Sequence, residues 1–262
     1  MWAVWSVGRW LRHWALGLAI VVAAAYIPWT VRQVWPVRHG PSPPGDIVSF
    51  IPVSGRWVAL AFADGPSIPA TPGIVRDLGA YGAHASFFVV GLNVQRHPKW
   101  IRQAAAGGNT IETHTEGHIN LATHSYSQDV ADLERAERSI QQLVGRRTHW
   151  LLPPYGMWNA AALKAARTAG LTVVVPSAGE GVRQDEQRPS QIVHQVLSHV
   201  RPGAIIVLHD GSPGTPVLEA LPTILHLLRV EGYRIGSIPE VWRHRTIKLD
   251  ESPSTGDNKG GR

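Results

Sequence analysis

Two histidines four residues apart, His114 and His118 in the string THTEGH, could share a metal ion with a carboxylate supplied from elsewhere in the chain. Asp64, at the end of the apolar run ALAFAD, offers that carboxylate. Two imidazoles and one carboxylate make a facial set that leaves coordination positions for water and substrate. One helical turn after a strand would bring both rings to one face. Spacing alone does not decide the matter, because thirteen histidines in 262 residues give about 0.6 such pairs by chance. The chain has no cysteine, so a metal would be held by His and carboxylate rather than thiolate.

These residues gain weight from the elements that must carry them. The runs at 57–62, 85–90, 109–114, HWLLPP, LTVVVPS, GAIIVLHD and YRIGSI read as strands. Helical patterns alternate with them, among them TPGIVRDLGAYG and HPKWIRQAAAGG. The longest covers 127–145, with Ser127 as its expected N-cap and Gly145 at its end. The strands are apolar throughout rather than alternating, so a mostly parallel sheet covered by helices, closed as a (β/α) barrel, is expected. Asp64, His114 with His118, Tyr155, and His209 with Asp210 all fall at strand carboxyl ends, where such folds place their active sites. Asp210 is expected to orient its loop.

AFADGP, HTEGH, LLPPYG and VLHDG, in that order, resemble the motifs of the polysaccharide deacetylases, the NodB-homology or carbohydrate esterase family 4 type, over about residues 53–245. The resemblance implies a distorted (β/α) barrel holding a divalent metal, commonly zinc. It implies hydrolysis of acetyl groups from amino sugars in chitin, peptidoglycan or related polymers. By position it makes Asp64, His114 and His118 the metal ligands and His209 the acid that protonates the leaving amine. Tyr155 would hold the oxyanion through its backbone N–H, and Pro154, Tyr155 and Trp158 would meet the substrate. Trp150, Tyr155 and Trp158 could stack on sugar rings or pack in the barrel wall.

Three departures stand against that pattern. The family's general base is an Asp where this chain has Ala63, and the Arg that pairs with it is here Leu152. An Arg left without its acid would be a buried, unpaired charge, so the joint loss is physically coherent. The fourth motif falls in VPSAGEGVR, which lacks the usual acid and Trp; Glu180 there is a candidate substitute acid or a solvated loop residue. Glu116, two after His114, is expected to face away from the metal. Two readings follow. One is a metal-dependent hydrolase removing N- or O-linked acetyl groups from an envelope polysaccharide; the other is an impaired family member that binds glycan through the retained site.

The formal charge of +6 is scattered, without interleaved basic and aromatic runs, which argues against nucleic acid. Residues 14–31, WALGLAIVVAAAYIPWTV, carry no charged side chain, enough to cross a hydrocarbon core of about 30 Å as a helix. Arg9 and Arg12 precede the run and aromatics flank it, so residues 1–37 read as a transmembrane anchor or a cleaved signal segment. Either places the remainder outside the cytoplasm, on a single-pass anchor or secreted. Residues 38–52 read as a Pro/Gly-rich linker, 53–245 as the catalytic-type domain and 246–262 as a disordered tail.

Overall fold

The computed structural model describes residues 47–178, 184, 187–211 and 216–246. The anchor expected over 1–37, Glu180 and residues 247–262 of the expected tail lie outside the described residues. Among the described residues no helix is long and apolar enough to cross a membrane.

In chain order the elements are β1 (Ile47–Val48), β2 (Trp57–Ala63), α1 (Ala70–Ala80), β3 (Ser86–Val89), α2 (Gly91–Arg96), α3 (Pro98–Ala106), β4 (Thr110–Thr113), α4 (Tyr126–Val144), β5 (Trp150–Leu151), a 3-10 turn (Pro154–Gly156), α5 (Ala160–Thr168), β6 (Thr172–Val174), α6 (Pro189–His199), β7 (Ile205–His209), α7 (Pro216–Val230), β8 (Arg234–Gly236) and α8 (Ile238–Arg243). The strands pair in parallel in the order β1-β6-β5-β4-β3-β2-β7, with β8 beside the first half of β2. Among the described residues the sheet's two edges are joined by isolated bridges, Ala178 to Ile206 and Phe50 to Ala204, and not by a regular ladder, so the barrel is irregular at that seam.

Alternation along β2 shows why a wholly apolar strand is needed. Val58, Leu60 and Phe62 point outward and pack with Ile74 and Leu78 of α1 and with Ile224 and Leu228 of α7. Ala59, Ala61 and Ala63 point into the barrel, where small side chains leave room for Phe88, Trp150, Leu152, Val174 and Val207. Both faces are therefore buried, as in parallel sheets generally. β7 obeys the same rule, with Ile206 and Leu208 outward and Ile205 and Val207 inward.

Several boundaries move. Ile47 and Val48, inside the stretch read as linker, pair with Val173 and Val174, and Ile51 is fully buried, so the fold begins before residue 53. The N-cap of α4 is Ser125 rather than Ser127: Ser125 has extended backbone and its N–H donates to Gln128 Oε1 at 2.9 Å. Gly145 ends this helix in the left-handed conformation, as expected. The short helices α2 and α8 had too few residues for their periodicity to be read.

Candidate functional site

Asp64 directly follows β2, in a left-handed turn with φ 73°. Gly211 packs against it so closely that any Cβ there would overlap the Asp64 side chain and backbone, and Asn93 Nδ2 donates to the Asp64 carbonyl at 3.0 Å. His114 follows β4, and His118 lies in the loop beyond it, which runs on to the start of α4. That loop is not the helical turn expected from the i, i+4 spacing. Thr115 and His118 both adopt positive φ, 67° and 55°, and this reversal is what folds the second imidazole back toward the first. The four non-glycine residues with positive φ among those described are Asp64, Thr115, His118 and Tyr155, so local backbone strain collects at this site.

The two imidazoles converge on one carboxylate oxygen. Asp64 Oδ1 lies 3.0 Å from His114 Nε2 and 3.2 Å from His118 Nε2. The opposite ring nitrogens are engaged elsewhere: His114 Nδ1–H donates to the Leu152 carbonyl at 2.6 Å, and His118 Nδ1 meets the Tyr155 hydroxyl at 3.1 Å. Such outer hydrogen bonds fix the tautomer and aim Nε2 inward, as in metal-ligating histidines. Burial works to raise the Asp64 pKa, but hydrogen bonds from His114 and His118, with the nearby His209, hold its carboxyl far below the usual range. The three ligand atoms lie within 4.8 Å of one another, and the set of two imidazoles and an ionised carboxylate fits a divalent ion.

A cavity of about 400 Å³ opens over this set, lined also by His209, Tyr155, Trp158, Gln184 and an apolar wall that includes Leu152, Val174 and Val207. The structure thus brings together Asp64, His114, His118, His209, Tyr155 and Trp158, as the sequence suggested. Pro154 is buried inside the 3-10 turn, and its neighbour Pro153 faces the cavity instead. Trp150 lies wholly inside the barrel, edge-on to Trp242 at 5.5 Å, so of its two readings the structure gives packing. Tyr155 is 65% exposed and Trp158 half-buried.

Ala63 and Leu152 are both buried in the inward-facing apolar cluster, with Phe88 and Val207. The two positions at which the resemblance would lead one to expect a base and its Arg are thus packed hydrocarbon. Glu116 is turned away as expected, though by the loop and not by a helix: its carboxylate accepts from Gln95 Nε2 at 2.9 Å and Ser139 Oγ at 3.1 Å. Asp210 does orient a loop. It is buried, its carboxylate accepts from Thr71 Oγ1 at 2.5 Å, Ser67 Oγ donates to its carbonyl, and a Cβ on Gly65 would collide with it. Burial, opposed by the Thr71 bond and assisted by the nearby Asp64 charge, pushes Asp210 up to about 7.

Sequence reading missed Gln184. Its side chain is almost fully buried, accepts from the His209 N–H at 3.0 Å and donates to the Val207 carbonyl at 3.3 Å, so it clamps the end of β7 that presents His209. No pattern in VPSAGEGVRQ marks it; only its return to the cavity in three dimensions does.

Comparison with known proteins agrees with this geometry. Residues 51–174 match the family described as Polysaccharide deacetylase. The chain is 31% identical over 212 residues to the peptidoglycan-N-acetylglucosamine deacetylase of Bacillus cereus, covering 80% of this chain and 99% of that relative. The solved Bc1960 peptidoglycan N-acetylglucosamine deacetylase superposes with a TM-score of 0.72 at 26% identity, over 78% of this chain and 95% of that one. BA3943, a CE4 family pseudoenzyme from Bacillus anthracis, shares the fold at a TM-score of 0.71 and 21% identity, over 77% of this chain and 70% of that one. The barrel is thus of the carbohydrate esterase family 4 type. This chain belongs to the polysaccharide deacetylase family, with a NodB-type domain.

Proposed function

We propose that this domain is a metal-dependent hydrolase that removes acetyl groups from an amino-sugar polysaccharide of the cell envelope, with a peptidoglycan-like glycan as its substrate class. The observation that carries the reading is the intact ligand set of Asp64, His114 and His118 beneath a cavity that His209 also lines. A divalent ion held there, zinc being suited to the donors, supplies Lewis acidity and lowers the pKa of coordinated water to about 7. The chain's own residues do the rest. Asp64 stays ionised and its two histidines stay aimed by Leu152 and Tyr155. His209, held at the end of β7 by Gln184, is placed to give a proton to the departing amine or alcohol. Tyr155 and Trp158 offer ring faces to the sugar, and the Tyr155 N–H is the donor for the developing oxyanion. Because Ala63 takes no proton, turnover is expected to be about 10²- to 10⁴-fold below that of a relative with a base. O-acetyl groups should suffer less than N-acetyl groups, since an alcohol leaves more readily than an amine.

The envelope placement is part of the same proposal. It is supported by the uncharged run at 14–31 behind Arg9 and Arg12, and by relatives whose names specify peptidoglycan.

The test is metal content of the purified protein together with acetate release from an N-acetylglucosamine oligomer and an O-acetylated analogue. About one equivalent of metal, with release lost in His114→Ala, is expected. A second reading, a glycan-binding protein without turnover, is favoured by one observation: Ala63 and Leu152 are packed into an apolar cluster. Bound metal and saturable glycan binding without acetate release would establish it in place of the first.

A further inference from the structure

We propose that the end of the barrel where the strands begin docks onto anionic lipid headgroups, holding the catalytic cavity away from the membrane. The proposal rests on the membrane tether of the reading above. All the paired strands run parallel, so their first residues, and the last residues of the helices between them, share one pole. Exposed arginines gather there: Arg56 before β2, Arg146 after α4, Arg201 before β7, Arg229 at the end of α7, Arg234 opening β8 and Arg243 ending α8.

Four of these guanidiniums lie over aromatic rings of the same pole, Arg229 among them at 5.9 Å from the Tyr81 ring centre. Arg56 is 4.5 Å from the Tyr233 ring centre, Arg201 5.0 Å from Phe50 and Arg234 5.5 Å from Trp57. Stacking restrains a guanidinium while leaving its N–H edge toward solvent, and that planar edge matches a phosphate bidentately. Acids also reach this side, each beside a basic group: Glu231 faces Arg56 at 3.7 Å, Asp77 faces Arg76 at 2.8 Å and Glu240 faces His84 at 3.3 Å, so Arg56 already shares part of its charge. Arginine near a helix C-terminus also complements the helix dipole. That accounts for Arg229 and Arg243, but not for Arg56 and Arg234, which sit at strand starts.

The first described element of the domain is β1, at Ile47. Only residues 32–46 separate it from the uncharged run, and they include Arg32 and Arg38. Such a tether reaches about 50 Å when fully extended, so the pole can meet the surface. Asp64, His114, His118 and His209 lie at the opposite, carboxyl ends of the strands. Docking would therefore present the cavity to a glycan layer beyond the membrane. Anionic lipid attracts basic residues within a Debye length, each worth about fivefold in the surface equilibrium.

The absence of native cysteine permits a direct test on the full chain. A fluorophore is attached through Val230→Cys, an exposed position on the arginine pole, or through Ser127→Cys, exposed at the start of α4 on the cavity side. Each protein is reconstituted in vesicles carrying headgroup quenchers, either phosphatidylcholine alone or with phosphatidylglycerol. Quenching of the label at position 230 alone is expected, with phosphatidylglycerol and at low salt. It should weaken at least about 100-fold in the Arg56→Glu, Arg201→Glu, Arg234→Glu variant and recover in the corresponding lysine variant, which checks folding. Equal quenching in neutral vesicles, quenching of the label at position 127, or indifference to charge reversal would overturn the proposal. So would loss of quenching to soluble polyphosphate with no preference for the vesicle, which would make the pole a site for a free anionic polymer. Acetate release is read separately, so an inactive protein that still docks refutes only the hydrolase reading.

Discussion

Restoring the missing pair gives the sharpest test of why the site lacks a base. Ala63 has no solvent exposure and shares its cluster with Leu152, Phe88 and Val207. Ala63→Asp alone would bury a carboxylate among hydrocarbon; the carboxyl escapes part of that cost by staying protonated, with its pKa raised by desolvation. A protonated acid cannot take a proton, so acetate release should change less than about threefold from the parent, although a freed base is worth about 10²- to 10⁴-fold. Leu152→Arg alone should be worse, because guanidinium cannot shed its charge; a buried unpaired ion costs about 3–5 kcal/mol. For a domain of this size that is a fall in Tm of about 6–20 °C. The double variant should recover much of that stability and raise the rate by about 10²-fold or more, lowering the barrier by about 2.7 kcal/mol. Thermal melts and initial rates of acetate release on all four proteins, each with metal content measured, complete the square. A full rate gain from Ala63→Asp alone, without loss of Tm, would refute this account of the site. So would a folded, metallated double variant no faster than the parent.

Gln184→Ala leaves the His209 N–H and the Val207 carbonyl without their partner, so kcat should fall about 10-fold with KM nearly unchanged, read from saturation curves. A chelator should lower Tm, since metal at a hundredfold excess over its Kd stabilises by about 2.7 kcal/mol, and His114→Ala should abolish that shift in a melt with and without added zinc. The His84–Glu240 pair, 3.3 Å apart, ties the start of β3 to α8. The Glu240 hydrogen bond, opposed by burial, raises the His84 pKa; burial would raise Glu240, but its bond to His84 holds it below the usual value. The pair's contribution is therefore complete between the ordinary values of 4.5 and 6.5, lost as pH rises through the raised His84 pKa and lost again as pH falls through the depressed Glu240 pKa. A double-mutant cycle with His84→Ala and Glu240→Ala should show about 0.5 kcal/mol of coupling at pH 5.5 and little at pH 9.

What the sequence made legible follows from which signals are local. Strand ends were readable because both faces of β2 and β7 are buried and an apolar run must stop where the barrel does, at Asp64 and at His209 with Asp210. The ligand set was readable as an ordered group of motifs. The geometry joining His114 to His118 was not, because a four-residue spacing serves a helical turn and a left-handed reversal alike. Ser127 looked as good a cap as Ser125 because capping depends on the φ and ψ of one residue, which composition does not report. Gln184 was invisible for a different reason: its partners, Val207 and His209, lie 23 and 25 residues away and are backbone groups that any sequence possesses.

The ligand set is also supported independently of residues 63 and 152. Each ligand is positioned by atoms that the substitutions at 63 and 152 leave untouched. His114 is aimed by the backbone carbonyl of Leu152, which is there whether the side chain is Arg or Leu. His118 is aimed by Tyr155, and Asp64 by the packing of Gly211 and the Asn93 amide. Ala63 and Leu152 belong instead to the apolar cluster that fills the barrel interior. The metal-ligating and proton-accepting functions are thus carried by separate parts of the same strand ends: the turn residues beyond β2 and β4 hold the first, and the last inward-facing residue of β2 would hold the second. Separate support means that a change at 63 or 152 need not strain the ligand set, and it is why an Asp, His, His set able to hold a metal does not, by itself, speak to rate.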